Sequence, residues 1–108
     1  MANDSYIQGV PINFYIDLTD LGTFSDVMFE IYVPSNKMAV ITAKYLNPTS
    51  SQLQVTRNGT IYSFSITSDQ TEVMLGDYKI ELTYYNSGGE IIDKIQSDNT
   101  IIITQEAK

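Results

Sequence analysis

Apolar and polar side chains alternate with a period of two along several stretches of this chain, and this pattern restricts the fold more than any other feature. The longest stretch runs from Val10 to Leu18. Successive side chains of an extended strand point to opposite faces, so an alternating stretch has one buried face and one solvated face. In the first stretch we expect the buried face to carry Val10, Ile12, Phe14, Ile16 and Leu18. The same pattern returns at 27–33 and at 78–84.

The composition and the spacing of turn residues agree with strands. The chain has 14 Ile, 11 Thr and 8 Tyr but 4 Ala, a balance that suits a pleated, half-buried surface. Turn residues separate the alternating segments, which is typical of a sandwich or barrel. Asn58-Gly59, between two alternating runs, predicts a hairpin with a type I′ turn. A second hairpin is predicted at 86–89, and a crossing with one helical turn at 68–76.

These patterns together predict an all-β fold. We expect an immunoglobulin-like antiparallel β-sandwich of roughly seven to eight strands, because two packed sheets bury one core in a chain of this length. A single domain spans residues 1–108, with frayed ends at 1–5 and 105–108. Pro11 cannot donate a ladder hydrogen bond, so the first long strand is expected at a sheet edge.

The residue inventory argues against catalysis. The chain contains neither His nor Cys, which removes the commonest general base, the usual nucleophile pairs, thiolate metal sites and disulfides. Its 6 Gly form no phosphate-binding motif. We therefore expect a protein that is not an enzyme and that uses no cofactor, metal or small-molecule substrate.

The charge and the N-terminal residues narrow the partners and the location. With 13 acids against 6 bases the net charge is −7, which disfavours nucleic acid and anionic membranes as partners. The start of the chain lacks the basic and apolar segments of a signal peptide, and the absence of Cys favours assembly in a reducing cytosol.

Two pairs of carboxylates have two interpretations. Asp17 with Asp20, and Asp69 with Glu72, lie in turns and could supply the oxygen ligands of a calcium site. Neither pair has the spacing of a known calcium loop, so capping and solvated turn positions are the favoured interpretation.

Exposed tyrosines suggest a candidate protein interface. The alternation places Tyr15, Tyr32 and Tyr85 outward, and Met28 would extend their patch if the first two long strands were neighbours. Tyr gives amphipathic contact area at low entropic cost and is enriched at interfaces. An ordinary sheet exterior explains these side chains equally well.

The second half of the chain resembles the immunoglobulin-like domains of tailed-phage virion proteins, notably the N-terminal domain of baseplate upper proteins. A polar crossing at 67–71 precedes a Gly-x-Tyr at 76–78, which opens an alternating strand; that strand turns at Gly88-Gly89 into a closing strand ending at 101–103. Asp17-Leu18 followed by the apolar positions of 27–31 is similar to the opening strands of these domains.

The resemblance implies a virion module that binds coat or baseplate subunits and reaches the virion from the host cytoplasm. The baseplate proteins continue into a long receptor-binding part, whereas this sequence stops at Lys108, so a capsid auxiliary or decoration protein is the expected role. Tyr78 would be a corner residue whose hydroxyl ties the crossing to the start of its strand. The alternatives are a receptor- or glycan-binding module of a baseplate, a tail fibre or a bacterial surface, and an adaptor that adds a strand at an open sheet edge.

Overall fold

The structure is a computed structural model that describes residues 3–97 and 100–105. Within these residues the chain forms ten strands, one 3-10 turn and one short helix. The strands are β1 (Asn3–Ile7), β2 (Ile12–Asp17), β3 (Asp26–Val33), β4 (Met38–Lys44), β5 (Leu53–Gln54), β6 (Thr56–Asn58), β7 (Ile61–Ile66), β8 (Gly76–Tyr85), β9 (Ile91–Gln96) and β10 (Thr100–Thr104). The 3-10 turn is Thr19–Leu21 and the helix, α1, is Ser68–Glu72.

Two sheets pack face to face around one core, as the sequence predicts. The larger sheet has the order β1-β10-β8-β3-β4-β5, with β9 beside β8, and the smaller sheet has the order β2-β7-β6. Both contribute alternate side chains to the core, so the period of two is confirmed in β2, β3 and β8. Val10 is an exception: it lies before β2 and is 48% exposed.

The strand number exceeds the expected seven to eight because β1 was not predicted and two expected strands are divided. The chain passes from the larger to the smaller sheet at Val55, which is fully buried and divides one expected strand into β5 and β6. The closing strand is also divided, since β9 pairs with the second half of β8 and β10 pairs with its first three residues.

Two expectations about pairing are wrong. The strands are not all antiparallel, because β1 runs parallel to β10 and β5 runs parallel to β4. Residues 3–5, which were expected to fray, belong to β1 and pair with 100–102. The outer edge of the closing strand supplies their hydrogen-bond partners, and a partner so distant in sequence leaves no local signal. Gln105 follows the last strand without regular structure, and 106–108 lie outside the described residues.

The hairpin at Asn58-Gly59 forms, but its turn is shifted by one residue. Asn58 pairs with Ile61, which makes Gly59 and Thr60 the two loop residues. Gly59 has φ +65°, whereas Asn58 and Thr60 keep negative φ values. Positive φ at the first loop residue alone matches a type II′ turn rather than the predicted type I′. The second hairpin, between Tyr85 and Ile91, is confirmed.

The crossing between β7 and β8 contains the predicted helical turn. Thr67 caps α1, since its side chain accepts from the Gln70 amide while the Gln70 side chain accepts from the Thr67 amide. Among the described residues no helix is long and apolar enough to cross a membrane. The Tyr78 hydroxyl accepts from the Leu75 amide at 3.0 Å and donates to the Leu75 carbonyl at 3.3 Å, which confirms the predicted corner.

Candidate binding groove

A groove of about 640 Å³ runs along one side of the sandwich, between the edges of the two sheets. One wall is β2 and the Thr19–Leu21 turn, and the other wall comes from β1, β8, β9 and β10. Buried core side chains, among them Phe14, Phe29 and Leu82, form its floor. This size lies within the range of about 300–1,000 Å³ that is common for ligand pockets. We call it the binding groove.

The wall formed by β2 is an edge strand with unused backbone groups. Among the described strands, β7 is the one that pairs with β2, and the Leu18 amide donates to the Thr60 carbonyl at 2.9 Å. Backbone groups of alternate residues point to opposite edges of a strand. The amides and carbonyls of Asn13, Tyr15 and Asp17 therefore point away from β7, toward the open edge.

The binding groove is apolar inside and acidic at its rim. Beyond the floor, its apolar side chains are Tyr6, Ile16, Leu21, Ile80, Ile95 and Ile101. Asp4, Asp17 and Asp20 line the groove, and none of the described residues that line it is Lys or Arg. A hydrogen bond from the Thr19 hydroxyl is the main cause that lowers the pKa of Asp17, so this rim carboxylate remains charged at neutral pH.

Across the groove from β2, the edge strand β9 has features that discourage pairing with a further strand. All six of its side chains are exposed, and its middle residues are Asp93 and Lys94. Its pairing with β8 is irregular between Tyr84 and Tyr85. Charged side chains and bulges are devices that discourage further strand pairing at a sheet edge. The described strand β2 has no bulge and no cation, and its devices of this kind are Pro11, just before its start, and Asp17 at its end.

Of the four predicted interface residues, Tyr15 lies at this groove. Its side chain lines the groove and is 73% exposed. The other three lie on the larger sheet, because β2 and β3 belong to different sheets. The extension of a Tyr15 patch by Met28, which required these strands to be neighbours, is therefore wrong.

Met28 and Tyr85 lie on the outer face of the larger sheet, and both are half-buried. Lys44 joins them there: its Nζ lies 5.8 Å from the Tyr85 ring centre and forms an ion pair with Asp26. Asp26 also accepts from the Leu46 amide at 2.9 Å. Burial is the main cause that raises the pKa of Tyr85. These contacts fasten β3 to the end of β4, which is a structural task.

Tyr32 points outward as the alternation predicts, but it is not available on the surface. It is 7% exposed, and it borders a small pocket with Glu30, Lys37 and Glu81. The tyrosine does not belong to the main core cluster, so these neighbours cover it from the outside. Burial and the nearby Glu81 raise its pKa. The expectation of an exposed ring at this position is corrected.

The paired carboxylates act as turn residues. Asp17 accepts from the Thr19 amide at 3.0 Å and from the Thr19 hydroxyl. Asp69 lies in the first turn of α1, and Glu72 ends it and is exposed. Among the described residues no group of three or more His, Cys, Asp or Glu side chains could hold a metal ion.

Sequence reasoning missed most of the groove. Asp4, Asn13 and Ile95 lie far apart in sequence, and the fold brings them to one side of the sandwich. One available signal was Pro11, which indicates an edge strand. Ile95 gave no such signal, because Ile is usually buried and the exposure of this side chain is known only from the structure.

Comparisons with known proteins show the fold. No protein-family model matches the chain, and no curated protein is similar to it in sequence. A fibronectin(III)-like module of Clostridium thermocellum CbhA has TM-score 0.55 at 10% identity, covering 98% of this chain and 91% of the module. The NK cell receptor NKp44 has TM-score 0.57 at 9% identity, covering 95% and 97%. DIP-gamma IG1+IG2 has TM-score 0.51 at 12% identity, covering 95% of this chain and 45% of that one.

Identities near 10% carry the fold alone. In this chain two packed sheets share one core, which is the architecture of a β-sandwich. The chain is therefore a β-sandwich of the immunoglobulin and fibronectin III type.

Proposed function

We propose that this chain is a non-catalytic binding module of a phage virion, a capsid decoration protein that docks on neighbouring coat subunits through the binding groove. The observation that carries the binding part is an open, apolar groove beside an unpaired strand edge. Exposed apolar surface beside an open edge favours association with another chain. The resemblance of 67–103 to phage virion domains supports the choice of partner.

The physical chemistry of the described residues supports a structural role over a chemical one. None of the described residues that line the groove is Lys, Arg, His or Cys, so its carboxylates are not paired there with one of these common catalytic side chains. Catalysis would need such a pairing within hydrogen-bond reach. A receptor- or glycan-binding role is the alternative; exposed aromatics around one loop cluster would favour it, whereas Tyr15 stands on a strand.

Electron cryomicroscopy of purified phage particles that contain this chain tests the proposal. We expect density for the sandwich that repeats over the capsid lattice, with the β2 edge facing a coat subunit. Density at the tail tip alone would favour the receptor-binding alternative, and absence of the chain from purified particles would contradict the virion role.

Site-specific photo-crosslinking tests the docking side. A benzophenone amino acid at Tyr15 should crosslink to the coat subunit in assembled particles. The matched control is the same amino acid at Met38, which is 61% exposed on the larger sheet and does not line the groove. Equal crosslinking from both positions, or from Met38 alone, would contradict docking through the groove.

A further inference from the structure

The unpaired backbone groups of β2 form a row that an extended strand can match with hydrogen bonds. Asn13, Tyr15 and Asp17 offer three amides and three carbonyls in a row, over about 17 Å of strand. Water satisfies such groups on an isolated edge, and an added strand satisfies them while it excludes water. Recognition by strand addition uses this backbone ladder for affinity and side-chain pockets for specificity.

The groove beside this edge would receive the inward side chains of such a strand. The side chains of Phe14 and Ile16 point to the core side of β2 and line the groove. A strand that pairs with β2 places every second side chain on that same face. Those side chains would contact Leu82 on the floor of the groove and Ile95 on its opposite wall.

We propose that β2 accepts an extended segment of a partner protein, with apolar residues at alternate positions and Lys or Arg at its ends. The apolar positions fill the groove, and the basic ends lie against Asp4, Asp17 and Asp20. This proposal rests on the binding function proposed above and names the chemistry of the partner.

The negative charge of the groove favours basic residues at the ends of the partner segment. Within residues 3–97 and 100–105, three carboxylates and no cation line the groove, and the whole chain carries −7. Opposite charges across an interface speed encounter and exclude partners of like charge. A basic segment therefore associates faster than an acidic one, and salt weakens this preference.

A second copy of this chain fits the groove poorly. If β2 paired with β2 of another molecule, the inward side chains of that strand would already be packed in their own core, leaving the groove unfilled. The pairing would also bring together two copies of the acidic rim, which is destabilising. Within this sequence the segments outside the described residues are 1–2, 98–99 and 106–108, each shorter than β2.

An array of synthetic heptapeptides tests the proposal. Each has Thr at odd interior positions, Val, Ile, Leu or Phe at alternate positions, and Lys at both ends. We expect the intact protein to bind a subset of them, and hydrogen exchange at the amides of Asn13, Tyr15 and Asp17 to slow on binding. Matched peptides with Glu ends, or with N-methyl groups on the amides that face β2, should not bind.

Tyr15→Pro removes one open-edge amide while the β7 ladder is retained, because proline is tolerated at strand edges. We expect binding to weaken about tenfold, the effect of about 1.4 kcal/mol. Lys94→Pro is the control at the other edge: the Ser97 amide donates to Ile80, so the Lys94 amide points away from β8, where it donates to the Asp93 side chain at 2.8 Å. This control should leave binding unchanged. Asp20→Lys should shift preference toward the Glu-ended peptides.

The result that overturns strand addition is binding that survives both Tyr15→Pro and N-methylation, or no array peptide binding at millimolar concentration. If Tyr15→Pro fails to fold, the N-methylated peptides decide the matter without a change in the protein. A concentration-dependent dimer that Tyr15→Pro abolishes would overturn it in favour of a second copy. If position 15 still crosslinks to the coat subunit in particles, the proposed binding function holds without strand addition. If it does not crosslink, the proposed function is contradicted as well.

Discussion

At the scale of single residues, the fully buried Thr71 and Thr83 differ in whether the hydroxyl has a hydrogen-bond partner. Thr71 donates to the Val10 carbonyl at 3.0 Å and contacts the Ser68 carbonyl at 3.2 Å. Thr83 Oγ1 is buried and has no hydrogen-bond partner among the residues that the structure describes. An unpaired buried hydroxyl costs free energy, whereas a paired one contributes to stability.

The same substitution should therefore have opposite effects at the two positions. We expect Thr83→Val to raise the free energy of unfolding by about 1–2 kcal/mol, since it removes an unpaired polar atom with little change in volume. Thr71→Val should lower it by about 1–3 kcal/mol, because the Val10 carbonyl loses its donor. Urea unfolding measures both. A large loss of stability in Thr83→Val would mean that its hydroxyl has a partner, such as a bound water.

The corner at Tyr78 offers a second test at this scale. Its hydroxyl makes two hydrogen bonds to the backbone of Leu75, just before β8 begins. Tyr78→Phe should lower the free energy of unfolding by about 1–3 kcal/mol, because the part-buried Leu75 amide is left without a partner. Tyr15→Phe, at an exposed ring, is the matched control and should change stability by less than about 0.5 kcal/mol. Equal effects would show that the corner does not stabilise the fold.

At the scale of elements, the β6–β7 hairpin depends on one glycine conformation. Gly59 has φ +65°, a region that costs residues with a Cβ about 1–2 kcal/mol. A Cβ at this position would meet no atom within 4 Å, so a substitution reports backbone strain without a clash.

Gly59→Ala should therefore lower the free energy of unfolding by about 1 kcal/mol. The matched control is Gly88→Ala in the other hairpin, because Gly88 does not have positive φ. There the free energy of unfolding should change by less than about 0.5 kcal/mol. Ala lowers the entropy of the unfolded chain, which is stabilising, and its Cβ makes a close contact to Asn86, which is destabilising. Thermal melts of both variants measure the difference, and a more stable Gly59→Ala would contradict the type II′ assignment.

At the scale of the whole molecule, folding raises the pKa of several tyrosines by burying them. Burial is the main cause that raises the pKa of Tyr6, Tyr32, Tyr62 and Tyr85 above the ordinary value of 10.0. A group whose folded pKa is raised contributes stability that is complete below its unfolded pKa and disappears as pH rises through its folded pKa.

We expect the free energy of unfolding to fall with pH above about 10, where the unfolded chain loses phenol protons that the folded chain still holds. Tyr62→Phe should weaken this alkaline dependence, because the buried ring no longer titrates. Denaturant unfolding across a pH series, together with absorbance titration of phenolate, measures it. An alkaline slope unchanged in Tyr62→Phe would show that Tyr62 ionises equally in both states.

Local sequence decided the elements of this protein. Alternation predicted β2, β3 and β8, and turn residues predicted both hairpins, because side-chain direction and turn geometry depend on near neighbours. The edge position of β2 followed from a single residue, because the missing amide of Pro11 restricts the local backbone. The corner at Tyr78 was implied by the resemblance to phage virion domains.

Contacts between distant segments were decided by the tertiary structure alone. The parallel pairing of β1 with β10, the change of sheet at Val55 and the assignment of β2 and β3 to different sheets need partners that alternation does not specify. The binding groove depends on the first and the last of these, because its walls come from β1 and β10 on one side and β2 on the other. The inward or outward direction of a side chain is local, whereas its exposure depends on what packs over it, as Tyr32 shows.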